Sequence, residues 1–138
     1  TLGGDFLKGV LPMLLAHLAG GGEVLLALTG VAAFLGHLYP VFFGFRGGKG
    51  VATALGVQAG LYWPIGLAVA VIWLFVAKVL RISSLSALVS MALAPVLVWW
   101  FWPAPVLIAA QVFITVVLFW RHRDNIRKLR RGEEGRIA

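Results

Sequence analysis

The chain has 138 residues, of which 61% are hydrophobic and only 12% charged. A water-soluble domain carries about a quarter of its residues charged to solvate its surface, so this composition points to lipid as the solvent. The formal charge of +7 does not indicate a nucleic-acid partner: seven of the twelve basic residues fall in the last 18 positions and the others flank apolar runs, the pattern that sets topology or meets anionic headgroups.

Apolar runs cover about residues 6–19, 24–43, 51–62, 65–80, 84–102 and 104–120. Between them stand Gly20-Gly21-Gly22-Glu23, Arg46-Gly47-Gly48-Lys49-Gly50, Trp63-Pro64, Arg81-Ile82-Ser83 and Trp102-Pro103-Ala104-Pro105. Some runs fall short of the ~20 residues that a straight helix needs to cross the hydrocarbon core, as half-helices or core-buried helices do. The predicted fold is therefore an all-α polytopic membrane bundle of about six transmembrane or partly spanning helices. It forms one domain over residues 1–138, with a basic tail over 121–138 that continues the last helix. Asp5 and Lys8 interrupt the opening, and more spans follow, so no cleavable signal peptide is read there.

Parity orders the charges. If all six runs cross, Lys8, Arg46, Lys49, Lys78, Arg81 and the seven tail cations share one side, while the opposite loops carry Glu23 and the tryptophans at 63, 99, 100 and 102. The positive-inside rule then places both ends in the cytoplasm and the tryptophans in an aromatic belt on the far side.

Three clusters on that basic side carry chemistry. The first is Gly36–Thr53, GHLYPVFFGFRGGKGVAT, with four glycines between positions 44 and 50 around Arg46 and Lys49, just ahead of a new helix. Glycine backbone and the unbonded N–H groups of a helix start together form an anion cradle. A tight, topology-setting turn is the alternative. It is not a Walker A loop, because Phe43 and Gly50 stand where that pattern needs glycine and Ser or Thr. The second cluster is Lys78, Arg81, Ser83, Ser84 and Ser86, whose hydroxyls either cap the next helix or meet a phosphate. The third runs from Arg121 to Glu134. A helix continuing through it sets His122 and Asn125 on one face; the alternative is a solvated tail lying on headgroups. Asp5 and Lys8 have the same i, i+3 relation at the start of the first run. Cations and hydroxyls gathered at one edge of a lipid-embedded bundle suit a ligand with phosphate at one end and hydrocarbon at the other.

The 36–53 stretch closely resembles the second signature loop of the bacterial acyl-phosphate:glycerol-3-phosphate acyltransferases, the PlsY family. The resemblance continues through Ser83-Ser84-Leu85, Trp99-Trp100 and the terminal RHRDNIRKLRRGEE, and covers essentially the whole chain. It implies transfer of a fatty acyl group from acyl phosphate to the 1-hydroxyl of glycerol 3-phosphate, giving lysophosphatidic acid and phosphate at the cytoplasmic face of the bacterial inner membrane. It assigns Lys49, Ser84, His122 and Asn125 to catalysis. His37, Arg46, Gly47, Gly48, Gly50, Arg81 and Ser83 are assigned to substrate binding. The family's preceding helix and SGNxGATN-like loop have no counterpart here, and Leu2–Gly9 matches the segment after that loop. A fragment without the first of seven helices is the expectation.

That chemistry requires no metal or cofactor. Acyl phosphate is a mixed anhydride with a good leaving group, which agrees with the absence of cysteine. It also agrees with the absence of a His-x4-Asp box: Gly22, Phe42 and Arg127 stand five positions after the three histidines. The proton acceptor is left open between a histidine and a substrate phosphate. The competing readings are a small anion or lipid transporter and an inactive fragment. A transporter calls for ionisable groups at mid-membrane, where the spans offer chiefly Thr29, Gln58, Gln111 and Thr115.

Overall fold

The computed structural model describes residues 2–39 and 49–137. The described residues form seven helices and no strand: α1 (Leu2–Ala19), α2 (Gly22–Leu38), α3 (Val51–Leu61), α4 (Trp63–Leu80), α5 (Ser83–Phe101), α6 (Pro105–Arg121) and α7 (Arg123–Arg130). In a medium without water every backbone N–H and C=O must be satisfied within its own segment, so apolar runs of this kind become helices. By length and composition α1, α4 and α5 are candidate spans. A fourth arises if α6 and α7, bent by 62° where they meet, count as one. Helix α2 is one residue shorter than α1 and α4, and α3 has only 11 residues. At 1.5 Å per residue α3 is about 16 Å long, roughly half the hydrocarbon thickness.

The breaks have local causes. Tyr62 is extended (φ −157°, ψ 116°) and Pro64 follows in the first turn of α4, which separates α3 from α4. The runs over 51–62 and 65–80 are thus two helices and not one. Arg81 ends α4 in the left-handed region at φ 58°. Pro103 and Pro105 separate α5 from α6. At His122 the chain turns away, so the basic tail departs from the axis of α6 instead of continuing it.

The tightest packing is between α1 and α3. A Cβ on Gly56 would lie 2.1 Å from the Phe6 carbonyl oxygen, and one on Gly9 would lie 2.3 Å from that of Thr53. The two backbones touch directly, an arrangement open only to small residues at a membrane helix interface. The pair runs parallel: the Thr53 hydroxyl donates to the Asp5 carbonyl at 2.8 Å near one end. At the other end His17 Nε2 lies 3.0 and 2.9 Å from the carbonyls of Gly60 and Leu61. Further contacts join α4 to α5, α5 to α6, and α2 to both α1 and α6. The core between them holds Met13, Phe34, Leu38, Ile65, Met91, Ile114 and Leu118. Leu15, Leu18, Leu28, Phe75 and Val116 are exposed on the outside, as a lipid-facing surface requires.

Each helix from α1 to α6 runs between two chemically distinct ends. One end joins Trp102, whose indole donates to Glu23 at 2.8 Å, to His17, whose ring stacks on it. The other brings together Asp5, Tyr39, Lys49, Arg81, Ser84, Arg121 and Asn125. The described lysines and arginines thus collect at one end of the bundle, which also holds both described termini: Ile137 donates its backbone N–H to the Arg81 carbonyl at 2.6 Å.

Candidate active site

At the basic end a cavity of about 830 Å³ opens between α1, α3, α4 and α5. Its mouth is polar, lined by Lys49, Ser83, Ser84, His122, Asn125 and Glu134; deeper in, its walls are apolar, with Phe6, Leu55, Val69, Trp73, Leu74 and Met91, apart from Ser90, whose hydroxyl donates to the Ala87 carbonyl at 3.2 Å. The four residues assigned to catalysis from sequence therefore meet at one mouth, although they come from three segments far apart in the chain.

The local structure explains each placement. Gly50 caps α3 at φ 92°, and a Cβ there would lie 2.4 Å from the Phe34 ring. Only glycine fits both the backbone and the space. This turn sets Lys49 at the mouth and leaves the first-turn N–H groups of α3, at the cavity-lining residues Val51 and Ala52, without side-chain caps. Helix α5 likewise begins without one, its N-cap being Ile82. The serines do not cap: Ser86 Oγ donates back to the Ile82 carbonyl at 2.8 Å, and Ser84 Oγ turns into the site. Two helix N-termini and an ammonium thus face one volume, the electrostatic requirement for an anion.

A continuous hydrogen-bond network spans the mouth. Lys49 Nζ donates to Asn125 Oδ1. Asn125 Nδ2 donates to Glu134 Oε2 at 2.8 Å, and Ser84 Oγ donates to the same oxygen at 2.6 Å. These two donors, followed by the lesser influences of Gly135 and Lys128, hold the Glu134 carboxyl below its ordinary value. It is a carboxylate at neutral pH. In the sequence Glu134 stands only as the end of the Arg121–Glu134 cluster. The available signal was an acidic residue within an otherwise cationic segment.

His122 is 3% exposed. Its Nδ1 lies 2.8 Å from the Leu118 carbonyl oxygen, which can only accept, so Nδ1 carries the proton and Nε2 is the acceptor nitrogen. Burial pushes this imidazole below the ordinary 6.5; the Leu118 carbonyl opposes that shift, Lys49 adds to it and Glu134 opposes it. The ring is neutral at neutral pH and carries a basic nitrogen at the mouth of the cavity.

Other assignments separate from this group. His37 does not line the cavity; its Nδ1 lies 3.7 Å from Asp5 Oδ1. Nearby, Arg121 lies over the Tyr39 ring at 5.3 Å from its centroid. The Arg81 side chain is also absent from the lining, and its backbone carbonyl anchors the tail instead. Ser83 lines the mouth. Arg46, Gly47 and Gly48 lie outside the described residues.

The chain is similar to known proteins over nearly its whole length. A family model described as glycerol-3-phosphate acyltransferase matches residues 1–132. The glycerol-3-phosphate acyltransferase of Hydrogenovibrio crunogenus is 56% identical over 99% of this chain, and that of Thioalkalivibrio sulfidiphilus 53% identical over 100%. The chain spans 66% and 68% of their respective lengths. The crystal structure of PlsY (YgiH), an integral membrane glycerol 3-phosphate acyltransferase, in its glycerol 3-phosphate form superposes with a TM-score of 0.93 at 38% identity, covering 97% of this chain and 68% of that one. Its lysophosphatidic acid form gives 0.92 at the same identity, with 97% and 69% covered. With a family model matching nearly its full length and a fold shared with a solved member, the chain belongs to the glycerol-3-phosphate acyltransferase family.

Proposed function

We propose that the protein transfers a fatty acyl group from acyl phosphate to the 1-hydroxyl of glycerol 3-phosphate, at the cytoplasmic face of a bacterial inner membrane. The observation that carries this reading is a cavity whose mouth gathers the Lys49 ammonium, two uncapped helix N-termini and hydroxyl groups above a largely apolar interior, within a membrane bundle of this family. A phosphate fits the mouth and a hydrocarbon tail the interior. The collection of basic residues at the mouth end supports the cytoplasmic assignment through the positive-inside rule.

The chemistry follows from the groups present. Two anionic substrates repel one another, and Lys49 with the open N-termini of α3 and α5 offsets that repulsion. The same groups stabilise negative charge as it develops on the carbonyl oxygen and the departing phosphate. His122 Nε2 accepts the proton of the 1-hydroxyl while the hydroxyl oxygen attacks the acyl carbonyl. A new ester C–O bond forms, the carbonyl-carbon-to-phosphate-oxygen bond breaks, and the proton passes on to the leaving phosphate. Ser84 and Asn125 orient the phosphates, and Glu134 fixes the orientation of both side chains. Holding the two reactants side by side supplies much of the remaining acceleration.

The test is an assay of the purified chain in lipid nanodiscs with hexadecanoyl phosphate and glycerol 3-phosphate. The reading requires phosphate release that depends on glycerol 3-phosphate, with lysophosphatidic acid identified by mass spectrometry. Hydrolysis of acyl phosphate at the same rate with and without the acceptor, or no release at all, defeats it.

A further inference from the structure

We infer that Met91 is the floor of the acyl-chain channel and sets how much of the hydrocarbon tail the site buries. This rests on the reading above, in which the cavity mouth holds phosphate. The lining residues end at Met91 on α5, Val69 on α4 and Leu55 on α3; none comes from the ten residues of α5 after Met91, the six of α4 before Val69 or the six of α3 after Leu55. From Ser84 at the mouth to Met91 is seven residues of one helix, about 10 Å along its axis. Below that level the bundle closes, with Ile65, Ala94 and Val98 buried to 1% exposure or less.

Met91 is suited to be a stop rather than a yielding wall. Methionine usually adapts its shape to whatever packs on it, but here both its polar atoms are held. The Gln58 amide donates to the Met91 sulfur at 3.3 Å, and the Thr115 hydroxyl donates to its carbonyl at 2.8 Å. Gln58 also donates to Gln111, which donates in turn to Thr115, each at 3.1 Å. Turning the Met91 side chain aside would take one partner from the buried Gln58 amide on α3, which is costly where no water replaces the lost bond. Above it α5 presents Ala87, a small residue one turn nearer the mouth and also in the lining. The channel is therefore open down to Met91 and closed beyond it.

The test uses unreactive alkyl phosphates from octyl to octadecyl, with binding measured on the purified chain independently of turnover. Affinity should rise about fourfold per added methylene while the chain is being buried, and then level off once the chain reaches Met91. Met91→Ala should move the plateau to longer chains, and Ala87→Leu should move it to shorter ones. A plateau at one length in all three proteins, or affinity that does not depend on length, overturns the inference. Acyl transfer is assayed separately: turnover with an unmoved plateau removes Met91 from its role and keeps the activity, whereas a moved plateau without turnover does the reverse.

Discussion

Lys49 and Asn125 stand 76 positions apart in the chain, and the lysine ammonium donates to the asparagine carbonyl oxygen at the cavity mouth. This contact joins the turn before α3 to the helix after the α6 bend, so the cation is held in place before a substrate arrives. Preorganised charge is worth more than mobile charge, because nothing has to reorganise as the transition state forms. Lys49→Ala should lower kcat/KM for acyl transfer by about 10²-fold or more, read from phosphate release. Wild-type turnover in that variant would remove Lys49 from the site.

The tautomer of His122 yields a pH prediction. A base works as the neutral ring, so activity should fall as pH drops through the pKa of His122. Burial places that pKa below the ordinary 6.5. The acid limb of the kcat/KM profile should therefore bend below 6.5, and His122→Asn should abolish that limb and cost about 10²-fold. A variant that keeps the same acid limb assigns proton acceptance to a substrate phosphate.

Glu134 accepts hydrogen bonds from both Ser84 and Asn125 through one oxygen. Hydrogen bonds to a charged group contribute about 1.5–3 kcal/mol, so Glu134→Ala should weaken the site by about tenfold or more. Glu134 acts on substrate through the orientation of its two partners, so Glu134→Gln, which keeps an acceptor oxygen, should recover part of the loss. The loss should appear mainly in KM for glycerol 3-phosphate, and steady-state kinetics that separate KM from kcat would check it.

The contact between α1 and α3 should limit stability. Gly56→Ala places a methyl against the Phe6 carbonyl and forces the helices apart, with an expected cost of about 1–3 kcal/mol. Thermal unfolding in detergent would measure it. Because α3 carries Lys49 at its start, the same substitution should lower activity even where the protein remains folded.

Much of this molecule was legible in its sequence because hydropathy and charge spacing are local properties. The apolar runs located α1, α2, α4, α5 and α6 to within a few residues, and parity of the basic residues anticipated that they would gather at one end. The glycine turn at Lys49-Gly50 declared a left-handed backbone ahead of a helix. Ser84, His122 and Asn125 were singled out by residue type beside the membrane edge, and the family resemblance supplied their grouping.

Other features depended on contacts between distant segments. His37 and Arg81 fall in the expected stretches, yet α2 turns His37 towards Asp5 and the left-handed end of α4 leaves the Arg81 side chain out of the cavity. Glu134 entered the site because the 62° bend at His122 brings the tail back over α5. The proton on His122 Nδ1 is decided by a carbonyl one turn earlier, and the depth of the cavity by the Gln58, Gln111 and Thr115 bonds that hold Met91. Local pattern determined what each segment is made of and that lipid surrounds it. Only the packing of helix on helix, governed by close approaches such as Gly56 on Phe6, decided which side chains share a volume.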